Sequence, residues 1–96
     1  MEIKHVEGKK KGNVLLYALS TCVWCKRTKR LLNEIGIAYD YIDVDLVDTA
    51  EREEINQKVL HWNSKGSYPT IVIDESQSIV GYDPERIKEV FGNGKR

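Results

Sequence analysis

Apolar positions follow two different periods along this chain. Val14-Leu15-Leu16-Tyr17-Ala18-Leu19 is an unbroken apolar run of strand length, the pattern of a strand covered on both faces. Ser20-Thr21 breaks it, and Cys22 to Gly36 reads as a helix with Thr28, Leu31, Leu32 and Ile35 on one face. Gly36 stands at the stop, where a left-handed backbone favours glycine. Tyr39 to Val44 is a second strand, rich in β-branched and aromatic residues. Asp48 followed by Glu51 resembles a capping box and opens a second helix with the stripe Ile55, Val59 and Trp62. Asn63-Ser64-Lys65-Gly66-Ser67 is a loop by composition. Thr70 to Ile73 is a third strand and Ile79-Val80 a fourth. The polar stretch between them is too short for a crossover, so the two form an antiparallel hairpin. Asp83 caps a last helix whose first residue is Pro84; Ile87, Val90 and Phe91 form its inner face and Gly92 closes it.

The order βαβαββα is that of an α/β domain, expected over residues 13–92, with 93–96 as a C-terminal tail. Residues 1–12 are expected to be a tail or a short extra strand carrying Ile3 and Val6. Within them Gly8-Lys9-Lys10-Lys11-Gly12 reads as a solvated turn, since Asn13 stands where a phosphate-binding loop needs Ser or Thr. The first strand–helix–strand unit makes its two strands parallel neighbours. Sites in such sheets lie beyond the carboxyl ends of the strands, and Cys22 falls three residues past Leu19.

Composition narrows the function. The chain has 96 residues, and fifteen basic residues balance fifteen acidic ones, which gives nucleic acid no basic surface to bind. No run approaches the ~20 apolar residues of a membrane helix, and Met1 to Gly12 lacks the pattern of a secretory signal, so a cytoplasmic protein is expected. There are two cysteines, spaced C-x-x-C, which reads as a redox or a metal pair.

A disulfide-exchange catalyst needs an exposed thiolate and a second thiol near enough to resolve the mixed disulfide. Cys22 at the helix start lies near unpaired backbone N–H groups, which favour a charged sulfur. Cys25, one turn on, is expected to be more covered and to act second. A closed zinc site needs four ligands, and His5 and His61 do not complete a finger-like set. Two chains pooling their cysteines around a metal or an iron–sulfur cluster is the competing reading; two buried structural cysteines is the third.

Thr21-Cys22-Val23-Trp24-Cys25 between strand and helix, Tyr41-Ile42-Asp43-Val44-Asp45, Tyr68-Pro69-Thr70 and Gly81-Tyr82-Asp83-Pro84 occur in order. In these segments the chain resembles the glutaredoxins of the thioredoxin superfamily, over roughly Val14 to Phe91. The resemblance implies a thioredoxin-like fold with a four-stranded mixed sheet flanked by three helices, and a cis-proline at Pro69 facing the cysteines. It implies a dithiol oxidoreductase that binds substrate along Thr21, Trp24, Tyr68, Pro69, Gly81, Tyr82 and Asp83. Such a protein is expected to be a monomer with no bound cofactor beyond its redox-active disulfide. Two features depart from the family. Ala18-Leu19-Ser20-Thr21 lacks the Lys that takes the glutathione carboxylate, and Tyr68 and Tyr82 replace the usual neighbours of the proline and late glycine. In this the chain is similar to glutaredoxin-like redoxins that serve ribonucleotide reductase. The electron donor implied is then a thioredoxin-type reductase or a low-molecular-weight thiol, and the substrates are protein disulfides.

Overall fold

The computed structural model describes residues 3–92; the tail expected at 93–96 lies outside them. Five strands, β1 (Lys4–Val6), β2 (Val14–Ala18), β3 (Tyr39–Asp43), β4 (Thr70–Ile73) and β5 (Gln77–Val80), form one mixed sheet in the order β1-β3-β2-β4-β5. The helices are α1 (Val23–Ile35), α2 (Thr49–Trp62) and α3 (Pro84–Phe91), with a short 3-10 turn at Val44–Leu46. β2 and β3 are parallel, with Leu16 beside Tyr41, and β4 is antiparallel to both β2 and β5.

The expected four-stranded sheet is corrected to five strands. Lys4–Val6 pairs antiparallel with Tyr39–Tyr41, so the short extra strand exists, although Ile3 lies outside it and is exposed. The sequence signal is weak because only Val6 of the three residues is partly covered. The lysine turn is also tied down: Lys9 N–H donates to Gly36 O at 2.8 Å, and Ala38 N–H donates to Lys9 O at 2.9 Å. Gly8 is required there, since a Cβ would sit 2.5 Å from the Ile37 carbonyl carbon.

The unbroken apolar run of β2 has the expected cause. Leu16 and Ala18 point to one face, with Ile71, Ile73, Leu32, Ile35, Ile87 and Phe91. Tyr17 points to the other, with Ile42, Val72, Ile55 and Val59. Side chains alternate along a strand, so α1 and α3 cover one face and α2 the other. Leu16, Leu32, Ile55, Ile71 and Ile87 are fully buried, and each such burial stabilises the fold by about 1.5–3 kcal/mol. Trp62, expected on the stripe of α2, packs at the border of the second cluster rather than inside it.

Helix ends follow the expected chemistry with small shifts of boundary. Gly36 closes α1 with φ 86°, where a side chain would be strained. Asp48 accepts from Glu51 N–H at 2.8 Å and Asp83 from Arg86 N–H at 3.1 Å, each capping its helix. The fourth strand begins earlier than expected, at Gln77, because three residues, Asp74 to Ser76, suffice to turn the hairpin, with Asp74 and Glu75 in left-handed conformations and Ser76 N–H donating to Ile73 O.

Candidate active site

Cys22 is the cap of α1, not its first residue. Its backbone is extended (φ −86°, ψ 122°), and its sulfur accepts the N–H of Cys25 at 3.2 Å. Main-chain donors left unpaired at a helix start are satisfied by such a cap, so the geometry puts a hydrogen-bond donor on the sulfur. Cys22 is half-buried, whereas Cys25 is fully buried; both are free thiols. Cys25 Sγ accepts the N–H of Leu19 at 3.4 Å, at the end of β2. Burial, then the contact with Cys22, pushes the Cys25 thiol up to about 12; the Leu19 N–H and the charge of Lys29 act in the opposite direction. Lys29 stands one turn after Cys25, with Nζ 2.9 Å from Asp43 Oδ1 and 4.1 Å from the centre of the Tyr41 ring.

Beside the cysteines, Trp24, Tyr68, Pro69, Gly81 and Tyr82 enclose a pocket of about 270 Å3. The Tyr68–Pro69 peptide is cis, and Pro69 O accepts the N–H of Gly81 at 2.8 Å, joining two sides of the pocket. Trp24 stacks on Tyr82 with ring centres 5.8 Å apart and planes 27° from parallel, and the Arg27 guanidinium lies 4.9 Å from the Trp24 ring. Trp24 is 52% exposed despite its size. The Tyr68 hydroxyl donates to Asn56 Oδ1 at 2.6 Å, and burial raises its pKa above the ordinary value. Five of the expected site residues therefore meet in one place. Thr21 is exposed next to Cys22, outside the pocket lining, and one Asp83 oxygen is occupied as a helix cap.

The glutaredoxin family model matches residues 14–77, a span holding both cysteines and the cis-proline. The chain belongs to the glutaredoxin family. A glutaredoxin structure from Methanosarcina mazei Go1 superposes with a TM-score of 0.88 at 41% identity, covering 96% of this chain and 89% of that one. Methanosarcina acetivorans methanoredoxin superposes with a TM-score of 0.86 at 38% identity, covering 88% of this chain and 90% of that one. Glutaredoxin 3 of Escherichia coli K12 is 34% identical over 72 residues, 75% of this chain and 80% of the relative. Like other glutaredoxins, the chain is a thiol–disulfide oxidoreductase with a redox-active cysteine pair.

Several parts of this glutaredoxin site escape the sequence analysis. Asp43 and Asp45, two apart at the end of β3, bind different partners: Asp43 holds Lys29, while Asp45 accepts from Ser20 N–H at 2.8 Å and Ser20 Oγ at 2.6 Å. The Asp-Val-Asp run at the end of the predicted strand was the available signal, but Asp45 lies in the 3-10 turn rather than in β3, and nothing local names the partners. Two cations that could stand in for the Lys missing from Ala18–Thr21, Arg27 and Lys58, lie apart in the fold. Arg27 lies against Trp24, and Lys58 lines a distinct cavity of about 680 Å3 with His61, Trp62 and Tyr17. Among the described residues, no group of three or more His, Cys, Asp or Glu side chains is placed to hold a metal ion, and no helix is long and apolar enough to cross a membrane.

Proposed function

We propose that this glutaredoxin is a dithiol electron carrier that reduces protein disulfides. The Cys22 thiolate attacks one sulfur of the substrate disulfide, and the other sulfur leaves as a thiolate. Cys25 then gives up its proton, attacks the Cys22 sulfur of the mixed disulfide and releases the second substrate thiol. Two electrons have passed to the substrate, and a Cys22–Cys25 disulfide remains. The observation that carries this order is the unequal placement of the pair, with Cys22 half-buried under a 3.2 Å N–H bond and Cys25 sealed behind it. The burial of Cys25 disfavours the competing reading in which two chains pool all four cysteines around a metal or cluster, because that ligand set needs Cys25 to be reachable.

The substrate reading rests on the rim. Val23, Trp24 and Val80 flank the pair or the pocket and are exposed apolar side chains, suited to a protein surface more than to a small charged peptide. The main chain of Tyr68 is the edge proposed to meet an extended substrate segment. Glutathione, by contrast, wants a fixed cation for its carboxylate, and Ala18–Thr21 provides none. A charge-assisted hydrogen bond contributes about 1.5–3 kcal/mol, so its loss weakens glutathione use by about ten- to a hundredfold. The donor proposed is a flavoprotein thioredoxin-type reductase or a small thiol other than glutathione. The test follows insulin reduction with each donor at matched supply. Faster turnover with the reductase supports the reading; efficient turnover with glutathione and none with the reductase contradicts it.

A further inference from the structure

Cys22 is useful only if the two residues before it bring its sulfur to the end of α1. Ser20 and Thr21 make that connection, and Thr21 is exposed. The turn itself has one weak internal bond, Cys22 N–H to Leu19 O at 3.2 Å. Its strong anchor comes from the neighbouring strand. Both donors of Ser20, the main-chain N–H and the hydroxyl, end on the two carboxylate oxygens of Asp45, at 2.8 and 2.6 Å. Asp45 is itself firmly mounted. Val44 and Val47 on either side of it are buried, and Arg52 of α2 donates to Asp45 O at 3.0 Å and to Val47 O at 3.4 Å. The carboxylate thus links the 3-10 turn after β3 to the segment that delivers the nucleophile.

We propose that Asp45 is a positioning residue for Cys22, acting through its paired hydrogen bonds to Ser20. The inference rests on Cys22 being the attacking sulfur. Its electrostatic effect alone would have the opposite sign, because a nearby negative charge disfavours a thiolate. Asparagine separates the two contributions. Its oxygen accepts the Ser20 N–H and its amide donates to the Ser20 hydroxyl, so Asp45→Asn keeps the tether and removes the charge.

The experiment measures iodoacetamide alkylation of the folded, reduced protein at pH 7, with the modified cysteine identified by mass, alongside the thermal midpoint. Asp45→Ala is expected to slow Cys22 alkylation by about fivefold, or about 1 kcal/mol, a part of what its two hydrogen bonds to Ser20 contribute. Asp45→Asn is expected to stay within about twofold of wild type, and adding Ser20→Ala to Asp45→Ala to slow it no further. A merely structural role would move the thermal midpoint and leave the rate of the folded protein unchanged. Cys22 alkylated as fast or faster in Asp45→Ala, or as slowly in Asp45→Asn as in Asp45→Ala, overturns the inference. Should Asp45→Ala not fold, Ser20→Ala alone decides: a slower Cys22 supports the tether, and an unchanged rate overturns it. Fast modification of Cys25 rather than Cys22 in the wild type would instead defeat the assignment of the nucleophile, a different failure visible in the same mass spectra.

Discussion

The sulfur of Cys22 accepts the N–H of Cys25 across 3.2 Å, so the proposed nucleophile also caps the first turn of the helix that carries the proposed resolving thiol. Local helix chemistry and redox chemistry therefore use the same contact. In the proposed mixed disulfide the Cys22 sulfur stays near the start of the turn that carries Cys25, so resolution by Cys25 would need little rearrangement of the backbone.

The buried Cys25 thiol makes the reduced protein sensitive to alkali. Its folded value, about 12, lies above the ordinary 9.0. A thiol raised in this way favours folding below its unfolded value, and that contribution is lost as the pH climbs toward the folded one. Reduced wild type is expected to lose stability relative to reduced Cys25→Ser as the pH rises from about 9 toward about 12. Denaturant midpoints at several pH values measure this; a constant difference between the two proteins would contradict it.

Asp45 titrates in the other direction. Hydrogen bonds from the Ser20 hydroxyl and then the Ser20 N–H hold its carboxyl below the ordinary 3.8, against a smaller effect of burial. The stability it contributes is present above the unfolded value and disappears as the pH falls through the folded one. In a carboxyl NMR titration Asp45 is expected to have a midpoint below 3.8, and Ser20→Ala to move that midpoint up. No change on removing the hydroxyl would contradict the assigned cause.

Asn63 supports the approach to the cis-proline. It is 3% exposed, and its amide nitrogen donates to Ser67 O, Ser67 Oγ and Thr70 Oγ1 at 3.0–3.1 Å, while its oxygen accepts Lys65 N–H. Asn63→Ala is expected to cost about 1–3 kcal/mol, because it strands buried polar partners, and to slow turnover by loosening the loop before Tyr68–Pro69. Chemical denaturation and insulin reduction check both effects. Ser64→Ala, at an exposed position of the same loop, is expected to change neither.

Trp24 is proposed to bear on recognition more than on folding. With half of its surface in solvent and one stacking partner in Tyr82, Trp24→Ala is expected to change stability by less than about 1.5 kcal/mol. KM for a protein disulfide is expected to rise several-fold with kcat nearly constant. A fall in kcat at unchanged KM would place the ring in the chemical step instead.

Elements with strong periodic signals were readable in the sequence. The β2 run, the α1 face and the caps Gly36, Asp48 and Asp83 depend on neighbours within a few residues. So does the placement of Cys22 at a helix start. β1 was readable only as an option, because its residues are mostly exposed and its partner Asp40 lies 35 positions from His5. The Ser20–Asp45, Lys29–Asp43 and Trp24–Tyr82 contacts span separations that no local pattern encodes. The first two exist because parallel pairing of β2 and β3 brings the residues after both strands to one end of the sheet; the third exists because β4 runs antiparallel to β2 and to β5, so the chain after β5 returns to that same end.

In the proposed reaction Cys22 attacks and Cys25 resolves. The most direct measurement mixes Cys25→Ser with a small protein disulfide and identifies the adduct by mass after digestion. A stable mixed disulfide on Cys22, formed at close to the wild-type initial rate, is expected, with no adduct in Cys22→Ser. An adduct on Cys25 in Cys22→Ser, with sustained reductase activity, would contradict this order.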